Sequence, residues 1–283
     1  MDFKQKYGPW ALVVGASEGL GASFAENCAM RGLNVALVAR RASALDETAG
    51  KIEARYGVRT RKIVADAGQV EFGDIVLGSL RDVEVGFLIF NAAAEPGGRF
   101  LDIGLSDHLN NIQVNCVAPT ILCHAFGRMM VERGRGGIVL VSSTGALQGI
   151  KQWVSYGAAK AYELLLGEGL WDEMREHGVD AFAYMVGSTY TPTFQRIQKK
   201  LGLPFADGVD ASKFPPGAPL PRPFEDVAAH LFHHLEDGPR VYSHPDDEAK
   251  ADADARLPRR EVVETMGRQS EIFFKGGLNR TGL

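Results

Sequence analysis

Tyr156 and Lys160 are the two residues of this sequence whose types and spacing most directly suggest chemistry. They lie four positions apart in a run of good helix formers, so a helix would place both side chains on one face. A tyrosine phenol titrates near pH ~10, and a pKa of about 7 requires roughly 4 kcal/mol of preference for the phenolate. A lysine ammonium about 4 Å away supplies roughly that amount at an effective dielectric of about 20. The spacing therefore predicts a proton-transferring tyrosine whose pKa is lowered by its lysine neighbour.

A glycine-rich segment near the start of the chain predicts a phosphate-binding turn. The apolar run Trp10–Val14 is typical of a buried strand, and Gly15, Gly19 and Gly21 follow it, ahead of a helical pattern. Glycines in such a turn let the backbone approach a pyrophosphate at a helix N-terminus, where free N–H groups favour anions. A tight turn that binds nothing is the alternative interpretation.

The residues after a second predicted strand, 34–38, indicate which nucleotide would bind. Arg40 and Arg41 stand about 20 positions beyond the glycine turn, where an NAD-binding fold places an acid for the ribose hydroxyl. A guanidinium pair fits a 2'-phosphate, so NADP(H) is preferred and NAD(H) stays possible. Glu18 weighs against this preference, because an acid there would repel a phosphate. Two solvated arginines that open a helix over Ala42–Tyr56 are the alternative.

Further apolar runs alternate with helical patterns along the chain. The strands are predicted at 61–66, 86–90, 137–143, Val179–Val186 and Arg240–Tyr242, and the helices at 70–81, 106–133, 158–177, 223–238 and 260–274. Such alternation indicates βαβ units with right-handed crossovers. We therefore predict a single-domain, Rossmann-like, doubly wound parallel sheet of about seven strands, with helices on both faces. Ligands bind such sheets at the carboxyl ends of the strands.

In the order of its motifs, the first two-thirds of the chain resembles the short-chain dehydrogenase/reductase family. Tyr156-x-x-x-Lys160 matches that family's catalytic motif, and Asn115 and Ser143 match its two other catalytic positions. The resemblance implies that Tyr156 gives a proton to a carbonyl oxygen to which Ser143 hydrogen-bonds. Lys160 would lower the tyrosine pKa and hold the nicotinamide ribose. Asn115 would anchor a water that links Lys160 to solvent.

The resemblance also implies a set of cofactor contacts, drawn from the glycine turn and from the segments that follow the predicted strands. The expected cofactor-binding residues are Gly15, Ser17, Glu18, Gly19, Leu20, Gly21, Arg40, Arg41, Asp66, Ala67, Asn91, Ala92, Ala93, Tyr156, Lys160, Gly187, Thr189 and Thr191. The chain departs from the family's pattern at three positions, Phe90, Ala93 and Val186. None of these three transfers a proton.

The last third of the chain is less regular. Residues 192–222 are rich in Pro, Gly and Lys with scattered apolar anchors, and the resemblance implies a substrate lid there; a plain surface connection is the alternative. Leu147, Trp153 and Tyr190 flank the reactive groups and favour a hydrophobic substrate, unless they belong to the core. We predict that 245–283 is a C-terminal helical extension of the single domain 1–283.

Composition narrows the choice of function. The net charge of -4 gives no basic excess for nucleic acid or an anionic membrane. We expect a cytoplasmic protein, because we find neither a secretory signal nor a charge-poor run long enough to span a bilayer. Three cysteines favour buried thiols over disulfides, and the histidine and acidic clusters lack the spacing of a zinc or calcium site, so no metal is expected.

Two functions are compatible with these residues. The first is an NADP(H)-dependent oxidoreductase that transfers hydride between nicotinamide and a carbonyl or secondary alcohol on a small, hydrophobic molecule. The second is a catalytically silent NADP(H)-binding sensor or scaffold, which the complete set Asn115, Ser143, Tyr156 and Lys160 disfavours. The resemblance further implies a homodimer or homotetramer that pairs the helices of 106–133 and 154–177.

Overall fold

The computed structural model describes residues 1–200 and 220–278 of the chain. The strands are β1 (Trp10–Val14), β2 (Asn34–Ala39), β3 (Thr60–Val64), β4 (Val85–Phe90), β5 (Gly136–Ser143), β6 (Val179–Val186), β7 (Thr189–Tyr190), β8 (Arg222–Pro223) and β9 (Arg240–Tyr242). Seven of them form one parallel sheet in the order β3-β2-β1-β4-β5-β6-β9, and β7 pairs with β8. The strand order reverses between β1 and β4, which is where doubly wound sheets bind their ligands.

Helices cover both faces of this sheet, so the predicted doubly wound, Rossmann-like fold is confirmed. They are α1 (Phe3–Tyr7), α2 (Gly19–Met30), α3 (Ala42–Tyr56), α4 (Phe72–Ser79), α5 (Leu105–Ile112), α6 (Ala118–Arg133), α7 (Val154–Met174), α8 (Pro192–Lys200), α9 (Phe224–Leu231), α10 (Pro245–Ala255) and α11 (Arg259–Leu278). The side chains of α2, α3 and α9 pack on one face, and those of α4 and α6 on the other.

The central strand β1 shows why these strands are almost continuously apolar. Its side chains alternate between the two faces, so that Ala11 and Val13 enter one core while Leu12 and Val14 enter the other. All four are 1% exposed or less. A parallel strand buried on both faces has no solvent side on which to place polar residues.

The long helix predicted over 106–133 is present but is not uniform. A π-helical turn, Gln113–Val117, separates α5 from α6, and Asn115 lies in its middle, fully buried. The Asn115 amide serves a neighbouring loop, because Ala94 N donates to its Oδ1 (3.0 Å) and its Nδ2 donates to Ala94 O (2.8 Å). Such turns are rare and mark local constraints that apolar periodicity does not show.

Apolar residues are frequent in this helical region. By length and composition alone, Leu105–Arg133 could cross a membrane, with a mean hydropathy of 1.2, which contradicts the expectation that no run is long and apolar enough. Half of its most apolar stretch is nevertheless buried inside the protein, as in a core helix.

Leu105, Leu109, Tyr162 and Leu165 are exposed on α5 and α7, the region where the resemblance expects subunits to meet. The oligomeric state stays a prediction.

The short helix α1 anchors the amino-terminal edge of the sheet. The Tyr7 hydroxyl donates to Asp180 at 2.6 Å near the start of β6, and Lys6 Nζ lies 2.7 Å from the same carboxylate. The Tyr7 ring packs on Phe87 with the centroids 5.0 Å apart. The sequence analysis did not predict α1, because five residues are too few to show a helical period.

The segments beyond β6 differ from the sequence expectation in their bounds. Of the predicted lid, α8 and β8 are described, and 201–219 lie outside the described residues. The helix predicted over 223–238 ends at Leu231 as α9. Two helices, α10 and α11, occupy the described part of 245–283. Ser270 of α11 donates to Lys151 O at 2.5 Å, which holds α11 beside the loop that follows β5.

Candidate active site

A cavity of about 1100 Å³ opens at the carboxyl ends of the parallel strands. It brings together most of the residues that the sequence analysis singled out. Those that line it are Gly15, Ser17, Glu18, Gly19, Leu20, Arg40, Arg41, Asp66, Ala67, Asn91, Ala92, Ala93, Ser143, Tyr156, Gly187, Thr189 and Thr191. The other three, Gly21, Asn115 and Lys160, are buried and do not line the cavity.

The glycine turn leaves backbone space at one end of this cavity. Gly15 and Gly19 have positive φ values of +85° and +53°, a conformation that other residues adopt only with strain. At Gly21 a Cβ atom would overlap the Gly15 carbonyl oxygen and come within 2.8 Å of Asn91 Nδ2. Because α2 begins at Gly19, its unpaired N–H groups lie at the cavity wall, as an anion-binding turn requires.

A charge cluster lies at the rim beside the glycine turn. The Glu18 carboxylate contacts Arg41 at 3.0 Å and Arg196 of α8 at 2.9 Å. These partners, Arg196 foremost, lower the pKa of Glu18 to about 2 against partial burial, which raises it. Glu18 was expected to oppose a phosphate here, but the two guanidinium groups neutralise it. Arg40, exposed nearby, has no ion-pair partner among the described residues.

The loop after β6 also lines the cavity, through Gly187, Thr189 and Thr191. Thr189 Oγ1 donates to Gly187 O at 3.0 Å, and Thr191 Oγ1 accepts from Phe194 N at 3.0 Å at the start of α8. Asp66 follows β3 by two residues, and its Oδ1 accepts from Gly68 N at 2.9 Å. These hydrogen bonds stabilise the conformations of the loops after β6 and β3, both of which line the cavity.

The two hydroxyl groups expected to do chemistry both line the cavity. Ser143 ends β5, and its Oγ accepts from Gly145 N at 3.0 Å. The phenol of Tyr156, in the first turn of α7, lies near enough to Ser143 that the serine hydroxyl lowers its pKa. The Trp153 ring packs against the Tyr156 ring with the centroids 5.8 Å apart. One oxygen of a bound molecule could accept from both hydroxyls.

The acidity of Tyr156 differs from the sequence expectation. Burial raises the pKa of the phenol, and the Glu95 and Glu163 carboxylates raise it further, while the hydrogen bond from Ser143 lowers it. We had expected the lysine neighbour to bring this pKa down to about 7. Burial and these carboxylates instead hold the pKa of the phenol above its usual range.

Burial is the main cause of this difference, and Lys160 is held by other partners. Its Nζ lies 6.0 Å from the Tyr156 ring centroid and donates to Val141 O and to Glu163 Oε2, each at 2.8 Å. The ammonium is therefore paired with a carboxylate on its own helix. The sequence spacing correctly placed Lys160 beside Tyr156, but the sequence analysis did not consider a third charged group on the same helix.

Another part of the cavity lies against two later segments of the chain. The loop after β5 and the helix α11 line it with mostly apolar side chains. These residues are Leu147, Gln148, Ile150, Trp153, Met266, Gln269 and Ser270. Tyr190, predicted to flank the substrate, instead packs on Phe194 with the ring centroids 6.0 Å apart. Glu95 also lines the cavity, and burial raises its pKa although part of its surface stays open to the cavity.

Comparison with known proteins identifies the family. A family model described as short chain dehydrogenase matches residues 9–202. A 7beta-hydroxysteroid dehydrogenase of Collinsella aerofaciens is 33% identical over 193 residues, which cover 68% of this chain and 73% of the relative. The chain belongs to the short-chain dehydrogenase family. It is thus an oxidoreductase of the class that acts on CH–OH and C=O groups.

Solved structures of other short-chain dehydrogenases share this architecture. A 7beta-hydroxysteroid dehydrogenase superposes with a TM-score of 0.83 at 27% identity, over 94% of this chain and 99% of the other. A short-chain dehydrogenase from Sphingobium yanoikuyae in complex with NADPH superposes with a TM-score of 0.73 at 25% identity, over 89% and 96%. Both matches cover a larger share of the chain than residues 9–202, so they include part of its last third.

Sequence reasoning missed several residues of the site. Glu95, Arg196 and the α11 side chains carry no motif, and their distance along the chain hides their proximity to the cavity. Glu163 did offer a signal, because a residue three positions after Lys160 and seven after Tyr156 shares their helical face. A charged residue on that buried face would have suggested an ion pair.

Proposed function

We propose that this short-chain dehydrogenase is an NADP(H)-dependent carbonyl reductase or alcohol dehydrogenase with Tyr156 as its general acid and base. The observation that carries the proposal is that Ser143 and Tyr156 line the same cavity as the glycine turn, with the serine hydroxyl near enough to act on the phenol. Hydroxyl donors aimed at one oxygen stabilise the negative charge that grows there as a carbonyl is reduced. A protonated phenol can then give up its proton to that oxygen.

The residues present fit a dinucleotide. The close packing of Gly21 on the Gly15 carbonyl, which keeps the turn tight, and the free N–H groups at the start of α2 suit a pyrophosphate. Thr189 and Thr191 would hold the nicotinamide end, and Arg40 and Arg41 the far ribose. A nicotinamide ring held by Thr189 and Thr191 would supply or accept the hydride. In reduction, Ser143 orients the carbonyl oxygen and Tyr156 protonates it; in oxidation, the Tyr156 phenolate takes the hydroxyl proton.

The charges at the rim support NADP(H) over NAD(H). Arg40, Arg41 and Arg196 carry three positive charges against the single negative charge of Glu18, so this rim is positive beside the expected 2'-phosphate. A ribose without phosphate gains nothing from the excess charge. Glu18 holds Arg41 in place and leaves Arg40 unpaired among the described residues.

Replacing Arg40 and Arg41 by Ala should weaken NADPH binding about 10- to 100-fold for each charged contact removed, and leave NADH binding nearly unchanged. Fluorescence titration of both cofactors measures this difference. Arg128→Ala is the matched control, because Arg128 is an exposed arginine on α6 that pairs with Glu132 away from the cavity. If the double variant bound NADPH as tightly as the wild type, the NADP(H) assignment would be wrong.

The substrate that this cavity fits best is a bulky, hydrophobic ketone or the corresponding alcohol. Trp153, Leu147, Ile150 and Met266 offer apolar walls, and the polar residues Gln148 and Ser270 stand among them. Relatives named for 7beta-hydroxysteroids support a rigid, polycyclic shape. Glu95 beside the phenol disfavours an anionic group close to the reacting carbonyl.

Assays of NADPH consumption with a panel of carbonyl compounds test this function. Neutral steroid and bulky aromatic ketones should turn over with kcat/KM at least about 100-fold above that of small polar ketones. The reason is that only a bulky apolar substrate removes the apolar side chains of the cavity from water. The reverse reaction with NADP and the matching alcohols should proceed at alkaline pH. Tight NADPH binding without turnover of any ketone or alcohol in the panel would instead support the silent sensor or scaffold.

A further inference from the structure

Gln148 is a buried glutamine in the wall of the cavity, on the loop after β5. Only 6% of the residue is exposed, and its side-chain amide forms no hydrogen bond within the part of the chain that the structure describes. Taking an amide out of water without a partner costs free energy, so buried polar groups in folded proteins are nearly always hydrogen-bonded. Gln148 is an exception, and its amide is available to a ligand.

The Gln148 amide opens into the cavity rather than into a closed void. Among the described residues, the buried polar atoms that have neither a partner nor access to solvent belong to Asn111, Arg133 and Glu163. The amide atoms of Gln148 are not among them, and Gln148 lines the cavity. A bound molecule can therefore reach this amide while the rest of the side chain stays packed in the wall.

The backbone of Gln148 lies close to the two hydroxyl-bearing residues of the site. A Cβ atom added at Gly157, the residue after Tyr156, would come within 3.8 Å of Gln148 O. One added at Gly145 would lie 3.3 Å from Ser143 Oγ and 3.9 Å from Tyr156 Cε1. The loop that carries Gln148 thus packs beside both hydroxyl groups. A bulky molecule bound at those hydroxyls can contact Gln148 with another part of its skeleton.

Two turns fix the loop on either side of Gln148. Before it, Leu147 N donates to Thr144 O at 3.4 Å. After it, Trp153 N donates to Ile150 O at 3.2 Å. A polar group on a backbone that is already ordered binds a ligand at a smaller entropic cost than one on a disordered loop. The position of Gln148 in the wall is therefore set before a ligand binds.

The chemistry of the amide indicates which group of a ligand it would bind. The walls around Gln148 are mostly apolar, so a hydrophobic molecule that fills the cavity excludes water from the amide. A molecule that presents only carbon there leaves the amide without a partner, whereas one that presents a hydroxyl restores a hydrogen bond. A hydroxyl both donates and accepts, so it can pair with either Oε1 or Nε2, while a carbonyl can pair only with Nε2.

We propose that Gln148 is a specificity-determining residue whose amide binds a hydroxyl group of the substrate, on a carbon other than the reacting one. The preferred substrates are then bulky, hydrophobic ketones that carry a hydroxyl group, together with the corresponding diols. The inference rests on the proposed function and deepens it, because it adds a polar group to the substrate class. Ser143 and Tyr156 act on the reacting oxygen, and Gln148 selects the molecule by a second oxygen.

Gln148→Met tests this selection with little change of volume. The substrates are ketones of one rigid, polycyclic skeleton, one without a hydroxyl and the others with a single hydroxyl at different carbons. In the wild type, at least one hydroxyl position should raise kcat/KM about 10- to 100-fold over the unsubstituted ketone. The variant should lose most of that ratio. A wild type without such a preference, or a variant with the wild-type ratio, would overturn the inference.

Gln152→Met is the matched control. Gln152 lies in the same loop but does not line the cavity, and its Oε1 accepts from Ser270 Oγ at 3.4 Å. Its replacement should keep the kcat/KM ratio of the hydroxylated to the unsubstituted ketone. An equal loss of this ratio in both variants would show a general effect of the loop and would contradict the specific role of Gln148.

Thermal unfolding of the cofactor-free protein separates ligand selection from a structural role. Gln148→Met should unfold at or above the Tm of the wild type, because it loses a buried amide that has no partner. A Tm lower by about 2–4 °C, as the loss of an internal hydrogen bond would cause in a chain of this size, would show a structural role and overturn the inference.

Binding of the alcohols in the presence of NADPH needs no turnover, since an alcohol and a reduced cofactor cannot react. A preference for the diol over the unsubstituted alcohol that depends on Gln148, without turnover of any ketone, would leave the inference standing while the proposed function fails. Turnover of the ketones without this preference would leave the proposed function standing and overturn the inference. If Gln148→Met does not fold, Gln148→Asn withdraws the amide by one carbon and should lose most of the same preference.

Discussion

Replacing Tyr156 by Phe should lower kcat/KM for carbonyl reduction about 10³-fold or more, while NADPH affinity stays within about twofold of the wild type. The phenyl ring keeps the packing against Trp153, so the cavity retains its shape. What is lost is the hydroxyl that Ser143 contacts and that gives up the proton. Steady-state kinetics at saturating NADPH and fluorescence titration of the cofactor measure the two quantities separately.

Tyr162→Phe is the matched control for this prediction. Tyr162 lies on the same helix, and its exposed hydroxyl meets Thr120 Oγ1 at 2.6 Å, outside the cavity. Its removal should leave the kinetics at wild-type values. A Tyr156→Phe enzyme that kept more than about a tenth of wild-type kcat/KM would rule out Tyr156 as the main proton donor.

Gly21→Ala should have the largest effect on the cofactor end of the site. The new Cβ would overlap the Gly15 carbonyl oxygen, and because this is backbone, neither atom can move without opening the turn or shifting the start of α2. We expect the free energy of unfolding to fall by about 3 kcal/mol and NADPH affinity to fall more than about 100-fold. Urea denaturation and cofactor titration measure these losses.

Gly50→Ala is its control. Gly50 lies within α3, and nothing stands within 4 Å of the Cβ that it would gain. Alanine should therefore raise the free energy of unfolding by about 0.5–1 kcal/mol through its helix propensity and leave cofactor binding unchanged. If Gly21→Ala bound NADPH as tightly as Gly50→Ala, the turn would not be the pyrophosphate site.

The sequence predicted the central sheet closely, for a physical reason. Strands buried on both faces must be almost continuously apolar, and β1, β6 and β9 have the predicted bounds. Elements set by tertiary contacts were missed or misplaced. The π-helical turn depends on how Asn115 meets Ala94, and α9 stops at Leu231 rather than at the glycine seven residues later. Local patterns do not contain such information.

For the candidate site, the positions of many residues could be predicted from the sequence, but their electrostatics could not. The order of strands and helices alone predicts that Gly15, Ser143 and Asn91 lie at one edge of the sheet. The direction of the pKa shift of Tyr156 could not be predicted, because it depends foremost on burial of the phenol and then on Glu95, which is distant in sequence. Spacing along a helix shows which side chains share a face, but the sign of the net field also requires their distances and burial.

The contacts of α1 have a practical consequence. Tyr7, Lys6 and Asp180 lie at the amino ends of the strands, and the cavity opens at the carboxyl ends, so a strand of five residues, roughly 17 Å, separates the two regions. Energetic coupling between residues that far apart is usually small. A library that varies Leu147, Ile150 and Met266 can therefore be screened for a change in the accepted ketone. Stabilising substitutions around α1 can be selected in a separate screen and then combined with the chosen library variants.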